Sequence, residues 1–254
     1  MSTQYQSLCS AERAFNVEPA MGDTSGALDV LLERDDLVVV NKVAGQPTFP
    51  HRRSESGTLA NLLVGRYPEM AGVGYSPREP GILHRLDTNT SGVLLAARSS
   101  GSFDALRRCL KAGLIRKEYY LICDGDSLPD SGVIDIPIGS RRRSASRVAA
   151  CIHLRDARRY KARPARTHFR VVQRHEKWAL VLASAAVAVR HQIRAHFAAI
   201  GHPLAGDGLY GGDVRCIKRH ALHARLIAID EFEGVEPFEV VCGMPEDMVE
   251  LLRA

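Results

Sequence analysis

Gly81-Ile-Leu-His-Arg-Leu-Asp-Thr-Asn-Thr-Ser-Gly-Val-Leu-Leu-Ala96 wedges a polar cluster between two apolar stretches. The second stretch, Gly92 to Arg98, is a short apolar run of the kind that forms a buried strand. His84, Arg85, Asp87, Thr88, Asn89, Thr90 and Ser91 thus stand at the edge of a core, where polar groups are either hydrogen-bonded or functional. An arginine beside a carboxylate lowers its pKa and keeps it ionised, which makes Asp87 the first candidate for chemistry. The residues alone equally allow a structural turn, with Asp87 capping the amides of Asn89 or Thr90.

Working outward, Asp36 to Lys42 is a β-branched run and reads as a strand ending in the turn Ala44-Gly-Gln-Pro47. Thr58 to Arg66 reads as a helix with Thr58 as N-cap and Pro68 as stop. Ser102 to Ala112 is an amphipathic helix closed by Gly113. Lys117 to Cys123 is a strand, and Arg166 to Gln173 with Trp178 to Ser184 form a hairpin. His191 to Ile200 is a helix closed by Gly201 and Pro203, Leu222 to Ile229 and Pro237 to Cys242 are strands, and Pro245 opens a last helix. Strands and helices interleave without a β-α-β rhythm, and several strand pairs have short connections. The expected class is α+β, a mixed and mainly antiparallel sheet flanked by helices. Residues 1–27 lack periodicity and read as a flexible lead-in.

A chain of 254 residues with 45% hydrophobic content can bury a sizeable core. No apolar run is long enough for a membrane span, and the start has no apolar signal core, so a cytoplasmic protein is expected. Cys9, Cys109, Cys123, Cys151, Cys216 and Cys242 are scattered, without a C-x-x-C pair, and read as reduced thiols rather than a disulfide or zinc framework. His191 and His196 stand five apart, roughly 140° from each other around a helix, which is no metal pair. No metal is expected. His175, His202 and His220 read as surface or packing residues.

Charge is unevenly placed. Of 34 Lys and Arg, eleven fall between Arg141 and Arg170 against one acidic residue, Asp156; the remainder of the chain has 23 basic and 28 acidic residues. A basic stretch on a mildly acidic body suits a phosphate backbone, and Arg141, Arg142 and Arg143 are its densest point. A solvated loop without a partner is the alternative reading of the same run.

His84-Arg-Leu-Asp-Thr-Asn-Thr-Ser-Gly92 resembles the active-site motif of the RluA family of pseudouridine synthases. Other segments follow in the family's order. Asn41-Lys-Val-Ala-Gly-Gln-Pro47 resembles its lysine-containing strand and turn, with Val43 where proline is usual. Lys117-Glu-Tyr-Tyr-Leu121 resembles the Lys-x-Tyr strand, and His191-Gln-Ile-Arg-Ala-His196 with Gly206-Asp-Gly-Leu-Tyr-Gly211 matches the long third motif. Leu222-His-Ala-Arg225 matches the closing strand. Ala188-Val-Arg190 departs from the family's Gly-Arg-Thr or Gly-Lys-Thr and sets Arg190 one place later.

The resemblance implies a pseudouridine synthase fold over 28–254 with a central active-site cleft, no cofactor, and a monomer acting on rRNA or tRNA. It implies that Asp87 is the catalytic aspartate, Arg194 its ion-pair partner and Tyr119 the residue stacking on uracil. Arg85, His84, Lys42, Lys117, Arg190, Arg141, Arg142 and Arg143 are the expected RNA contacts. Members often carry an N-terminal S4 domain, and a stand-alone catalytic domain is expected here. Two rival readings stand beside this one: a non-catalytic RNA-binding or remodelling protein on the same fold, and a small-molecule glycosidase or nucleoside-processing enzyme. The first would have no need of Asp87, Tyr119 and Arg194 together; the second would have no need of the basic segment.

Overall fold

The computed structural model describes residues 19–52, 55–140, 147–186, 188–232 and 234–253. Eleven strands are present among them: β1 (Asp29–Glu33), β2 (Leu37–Lys42), β3 (Ser91–Ala97), β4 (Ile115–Asp124), β5 (Ser131–Asp135), β6 (Ile138–Ser140), β7 (Val148–Ala150), β8 (Arg166–His175), β9 (Trp178–Ser184), β10 (Leu222–Ile229) and β11 (Phe238–Val241). Nine form one sheet in the order β1-β2-β3-β10-β4-β9-β8-β5, with β11 also paired to β10, while β6 and β7 make a separate hairpin. The pairings are antiparallel except β3 against β10, which is parallel. The α+β, mainly antiparallel expectation holds.

Among the same residues, five α-helices accompany the sheet: α1 (Leu59–Arg66), α2 (Ser100–Ala112), α3 (Leu154–Arg159), α4 (Gln192–Ala199) and α5 (Glu246–Arg253). Thr58 caps α1 through a reciprocal pair with Asn61, satisfying amides that the first turn leaves free. α2 begins two residues before the expected start, capped by Ser99, and ends on Gly113 in the left-handed conformation. β3 is buried along its whole length, as its apolar run requires, and with Val38, Val39 and Val40 of β2 it forms the centre of the core.

β3 and β10 approach closely at Gly92, whose φ is 110°. A Cβ there would run into the carbonyl of Ala224 on β10, so only glycine lets the two strands pair. This contact sets the end of the 84–90 loop against the start of β10.

The lead-in expected over 1–27 is packed where it is described. Ala20 is buried and its amide donates to Pro77 O, while Asn61 Nδ2 donates to Met21 O and the Asp23 amide to Asn61 O. The buried Asn61 amide recruits this segment to the first turn of α1, and so its order comes from tertiary pairing rather than local periodicity. Residues 1–18 lie outside the described residues, as do Arg141, Arg142 and Arg143. β6 and β7 lie on either side of those three arginines, so the basic segment links two short strands. It also carries α3, which buries no residue and has no apolar stripe to reveal it. No helix of the described residues is long and apolar enough to cross a membrane.

Candidate active site

Asp87 sits in the loop that leads into β3, with its side chain 16% exposed at a cleft of about 840 Å³. The loop is held from several directions. Thr48 Oγ1 donates to Leu86 O at 2.8 Å, the Gly45 amide donates to Thr88 O at 2.9 Å, and Arg219 Nη1 donates to Asn89 O at 3.2 Å. Thr90 Oγ1 pairs with His220 Nε2 at 2.8 Å and Ser91 Oγ with His223 Nδ1 at 2.9 Å. The Thr90 amide donates to the Asp87 carbonyl, so the turn-capping geometry exists, but through the Asp87 backbone and not its carboxylate. The carboxylate is left for other work.

Arg194, in the first turn of α4, reaches it. Nη1 donates to Asp87 Oδ2 at 2.8 Å, while Nε and Nη2 donate to the two oxygens of Asp207 at 2.7 and 2.8 Å. The bidentate fork fixes the guanidinium plane, and the third nitrogen is thereby aimed at Asp87. Asp207 is buried and lies in Gly206-Asp-Gly208. Gly206 has φ 73°, and a Cβ there would run into the Arg219 carbonyl. Glycine alone fits this turn, which places Asp207 beneath Arg194.

Burial alone would raise the Asp87 pKa, but the neighbouring His191, Arg194 and His220 outweigh it and hold the carboxyl below its usual value. Burial pushes His191 and His220 below their ordinary pKa, His220 to about 4, so both are neutral near pH 7. Arg194 is therefore the standing charge that keeps Asp87 ionised.

His191 faces the other carboxylate oxygen, with Nε2 3.5 Å from Asp87 Oδ1. Its φ of 55° is unusual for a non-glycine residue, and its Nδ1 lies 3.1 Å from Tyr210 Oη, which accepts from the Val148 amide on β7. The Tyr210 ring also carries the Arg194 guanidinium at 5.2 Å. His191, Tyr210, His220 and Asp207 thus build the site around the Asp87–Arg194 pair. From the sequence, His191 reads only as no metal partner of His196 and His220 as a surface or packing residue, and neither Tyr210 nor Asp207 stands out; the signal available for His191, Tyr210 and Asp207 is their place inside the matching third motif.

Tyr119 of β4 lines the cleft and is 7% exposed. Burial and then the Asp87 charge push its phenol up to about 12, so it stays protonated and offers a ring face and an O–H rather than a base. Arg85 is exposed at the rim, its guanidinium 4.7 Å from the Phe49 ring centre. Arg190 is exposed and lines the same cleft in spite of its shifted place in the sequence. Arg159, Lys161 and Arg163 of the basic segment line it too, which sets that positive charge around Asp87.

Three expected RNA contacts take different places. Lys42 is fully buried, and its ammonium donates to Val43 O, Gln46 O and Thr88 O at 2.9, 2.8 and 3.0 Å. All three protons are committed, so Lys42 ties the β2 turn to the Asp87 loop instead of meeting RNA. His84 lines the cleft, but its Nε2 accepts from the Leu95 amide at 3.3 Å, and burial pushes its pKa down to about 3, leaving a neutral ring. Lys117 lies on the floor of the cleft at 5% exposure, too deep for the outer backbone of an RNA helix.

Sequence and fold comparisons with other proteins point in one direction. Residues 36–199 match the family described as RNA pseudouridylate synthase. The uncharacterized RNA pseudouridine synthase YlyB of Bacillus subtilis is 34% identical over 227 residues, covering 89% of this chain and 72% of that protein. Ribosomal large subunit pseudouridine synthase D of Yersinia pestis is 33% identical over 242 residues, covering 89% and 70%. The fold matches human RNA pseudouridylate synthase domain containing 4, with a TM-score of 0.68, 22% identity and coverage of 98% and 97%. Human RNA pseudouridylate synthase domain containing 1 gives 0.66, 23% identity and coverage of 94% and 98%. With the match running through the loop of Asp87, the strand of Tyr119 and the helix of Arg194, the chain belongs to the RNA pseudouridylate synthase family.

Proposed function

We propose that this enzyme converts uridine in ribosomal RNA to pseudouridine, with Asp87 acting on the ribose of an extruded nucleotide. The observation that carries the reading is an ionised carboxylate held by Arg194 at 2.8 Å inside a cleft ringed by Arg85, Arg159, Lys161, Arg163 and Arg190. Relatives named for the large ribosomal subunit support rRNA over tRNA as the target.

The reaction breaks the bond between uracil N1 and ribose C1′, turns the base, and joins C5 to C1′. The C5 proton leaves and a proton ends on N1, so no oxidant, reductant or water is consumed. The sugar gains positive character as the base departs. An ionised carboxylate beside C1′ and C2′ stabilises that charge, either by attack at C1′ or by taking the C2′ proton. Arg194 orients Asp87 and keeps it charged, and Tyr119 stacks on the base. A base inside a helix cannot reach Asp87, so the nucleotide is extruded, and Arg85 at the rim fills the gap or holds a phosphate. Arg190 and the basic segment, with Arg141, Arg142 and Arg143 at its densest point, grip the RNA backbone. The enzyme works as a monomer in the cytoplasm.

Mapping pseudouridine in total RNA from a strain with and without the gene tests this reading. Loss of one or a few rRNA positions is expected; loss only from tRNA would overturn the target, and an unchanged map would overturn the activity.

A further inference from the structure

Lys117 is a charge without a partner. The residue is 5% exposed. Among the described residues its ammonium makes no hydrogen bond or ion pair, and its Nζ is not one of the fully enclosed unpaired atoms, so it opens onto the cleft that the residue lines. Burial alone acts on it, lowering its pKa to about 8, with no carboxylate pulling the other way. An ammonium largely desolvated at the floor of a cleft and held by no protein acceptor is costly, and a fold keeps one there only where something else demands it. Lys42 is the contrast within the same chain: it is as deeply buried, but three carbonyls satisfy it.

The position says what would complete Lys117. It stands two residues before Tyr119 on β4, so both side chains point to the same face of the sheet, and both line the cleft with Asp87. A uracil stacked on Tyr119, as the proposed function has it, can turn the edge that carries O2 and O4 toward groups on the cleft floor. Resting on the reading of the site as a uridine isomerase, we propose that Lys117 recognises the extruded base by donating a hydrogen bond to a uracil carbonyl oxygen. The chemistry of the reaction suits a donor there. Turning uracil about its C6–N3 axis exchanges N1 with C5 and, with them, O2 with O4. A single ammonium therefore meets a carbonyl both before and after the turn. Cytosine presents an amino group in place of O4, which an ammonium repels.

The test compares wild type, Lys117→Met, Lys117→Arg and Asp87→Asn on one modified rRNA fragment, reading single-turnover rate, RNA Kd, melting temperature and rate between pH 6 and 10. Lys117→Met is expected to lower the rate at saturating RNA about 10- to 100-fold, the range of a hydrogen bond from a charged donor. Its RNA Kd stays within about twofold, because no phosphate contact is lost, and its melting temperature is unchanged or higher, because a buried unpaired charge is gone. Lys117→Arg is expected to keep part of the rate and to lack the decline expected of wild type as pH rises through about 8. An unchanged rate in Lys117→Met overturns the proposal. So does a rise in RNA Kd with a shallower salt dependence, which marks a phosphate contact, or a fall in melting temperature, which marks a structural role. Full activity in Asp87→Asn would instead overturn the reading of the site itself.

Discussion

Arg194 holds two carboxylates at once, and its substitutions separate the two duties. Arg194→Met leaves Asp207 buried with no partner, and removing one member of such a pair costs about 3–5 kcal/mol. Chemical denaturation should show that loss alongside loss of activity. Arg194→Lys keeps a positive charge but not the fork, so it should fold with a smaller loss while the rate falls about 100-fold, as expected when a bidentate site receives a point charge. A lysine variant with wild-type rate would show that orientation of Asp87 is unimportant. Asp87, Arg194 and Tyr119 were legible in the sequence because each lies in an ordered motif. Their surroundings were not. Asp207 beneath Arg194 and His191 against Tyr210 are tertiary contacts between residues that no local periodicity relates.

At the scale of elements, the 84–90 loop is a pinned structure rather than a flexible connection. Lys42 from the end of β2 joins its own turn to this loop, and Lys42→Met would leave the Val43 and Gln46 carbonyls without that donor, while Thr88 O keeps the Gly45 amide. That change should cost about 1–3 kcal/mol per carbonyl left unpaired, offset by the removed charge, and should lower the rate with little change in RNA Kd. A variant that instead binds RNA markedly less tightly would return Lys42 to the role of RNA contact. Lysine on a strand end reads as a surface residue, and nothing in Asn41-Lys-Val43 announces three carbonyls converging on it. Strands with apolar runs, such as β2 and β3, and helices with explicit caps, such as α1 and α2, were readable. β1 and β5 were not singled out: each is a five-residue edge strand with exposed positions, and pairing with a neighbour, not pattern, makes it a strand.

Across the whole molecule, buried histidines tie stability to pH. His84, His220 and His223 have pKa values pushed by burial from 6.5 to about 3, 4 and 4. Their folded values lie below the unfolded one, so the unfolded chain takes up protons first. The stability they permit is complete above pH 6.5 and is lost as pH falls toward 4, on the order of 1.4 kcal/mol per pH unit for each histidine. Unfolding free energy measured from about pH 7 to about pH 4.5 should fall with that sign; a flat profile would mean that these rings are solvated.

The positive rim is the other property of the whole. Reversing Arg159, Lys161 and Arg163 to Glu should weaken RNA binding and make its log–log salt dependence shallower by about 2 to 3 units, near one per lost phosphate contact. An unchanged slope would remove these residues from the RNA path. The sequence revealed the excess charge of this stretch but not that part of it lines the cleft, which depends on β6 pairing with β7 and with Arg163.

The proposed function rests on the carboxylate of Asp87 as the group that performs the chemistry. Asp87→Asn preserves the side chain's size and removes its charge, so RNA affinity and melting temperature should stay close to wild type. Pseudouridine formation by the purified variant on an rRNA fragment that the wild type modifies is the direct measurement. No detectable product is expected while RNA still binds; product at a rate near wild type would show that the Asp87 carboxylate does not perform the chemistry.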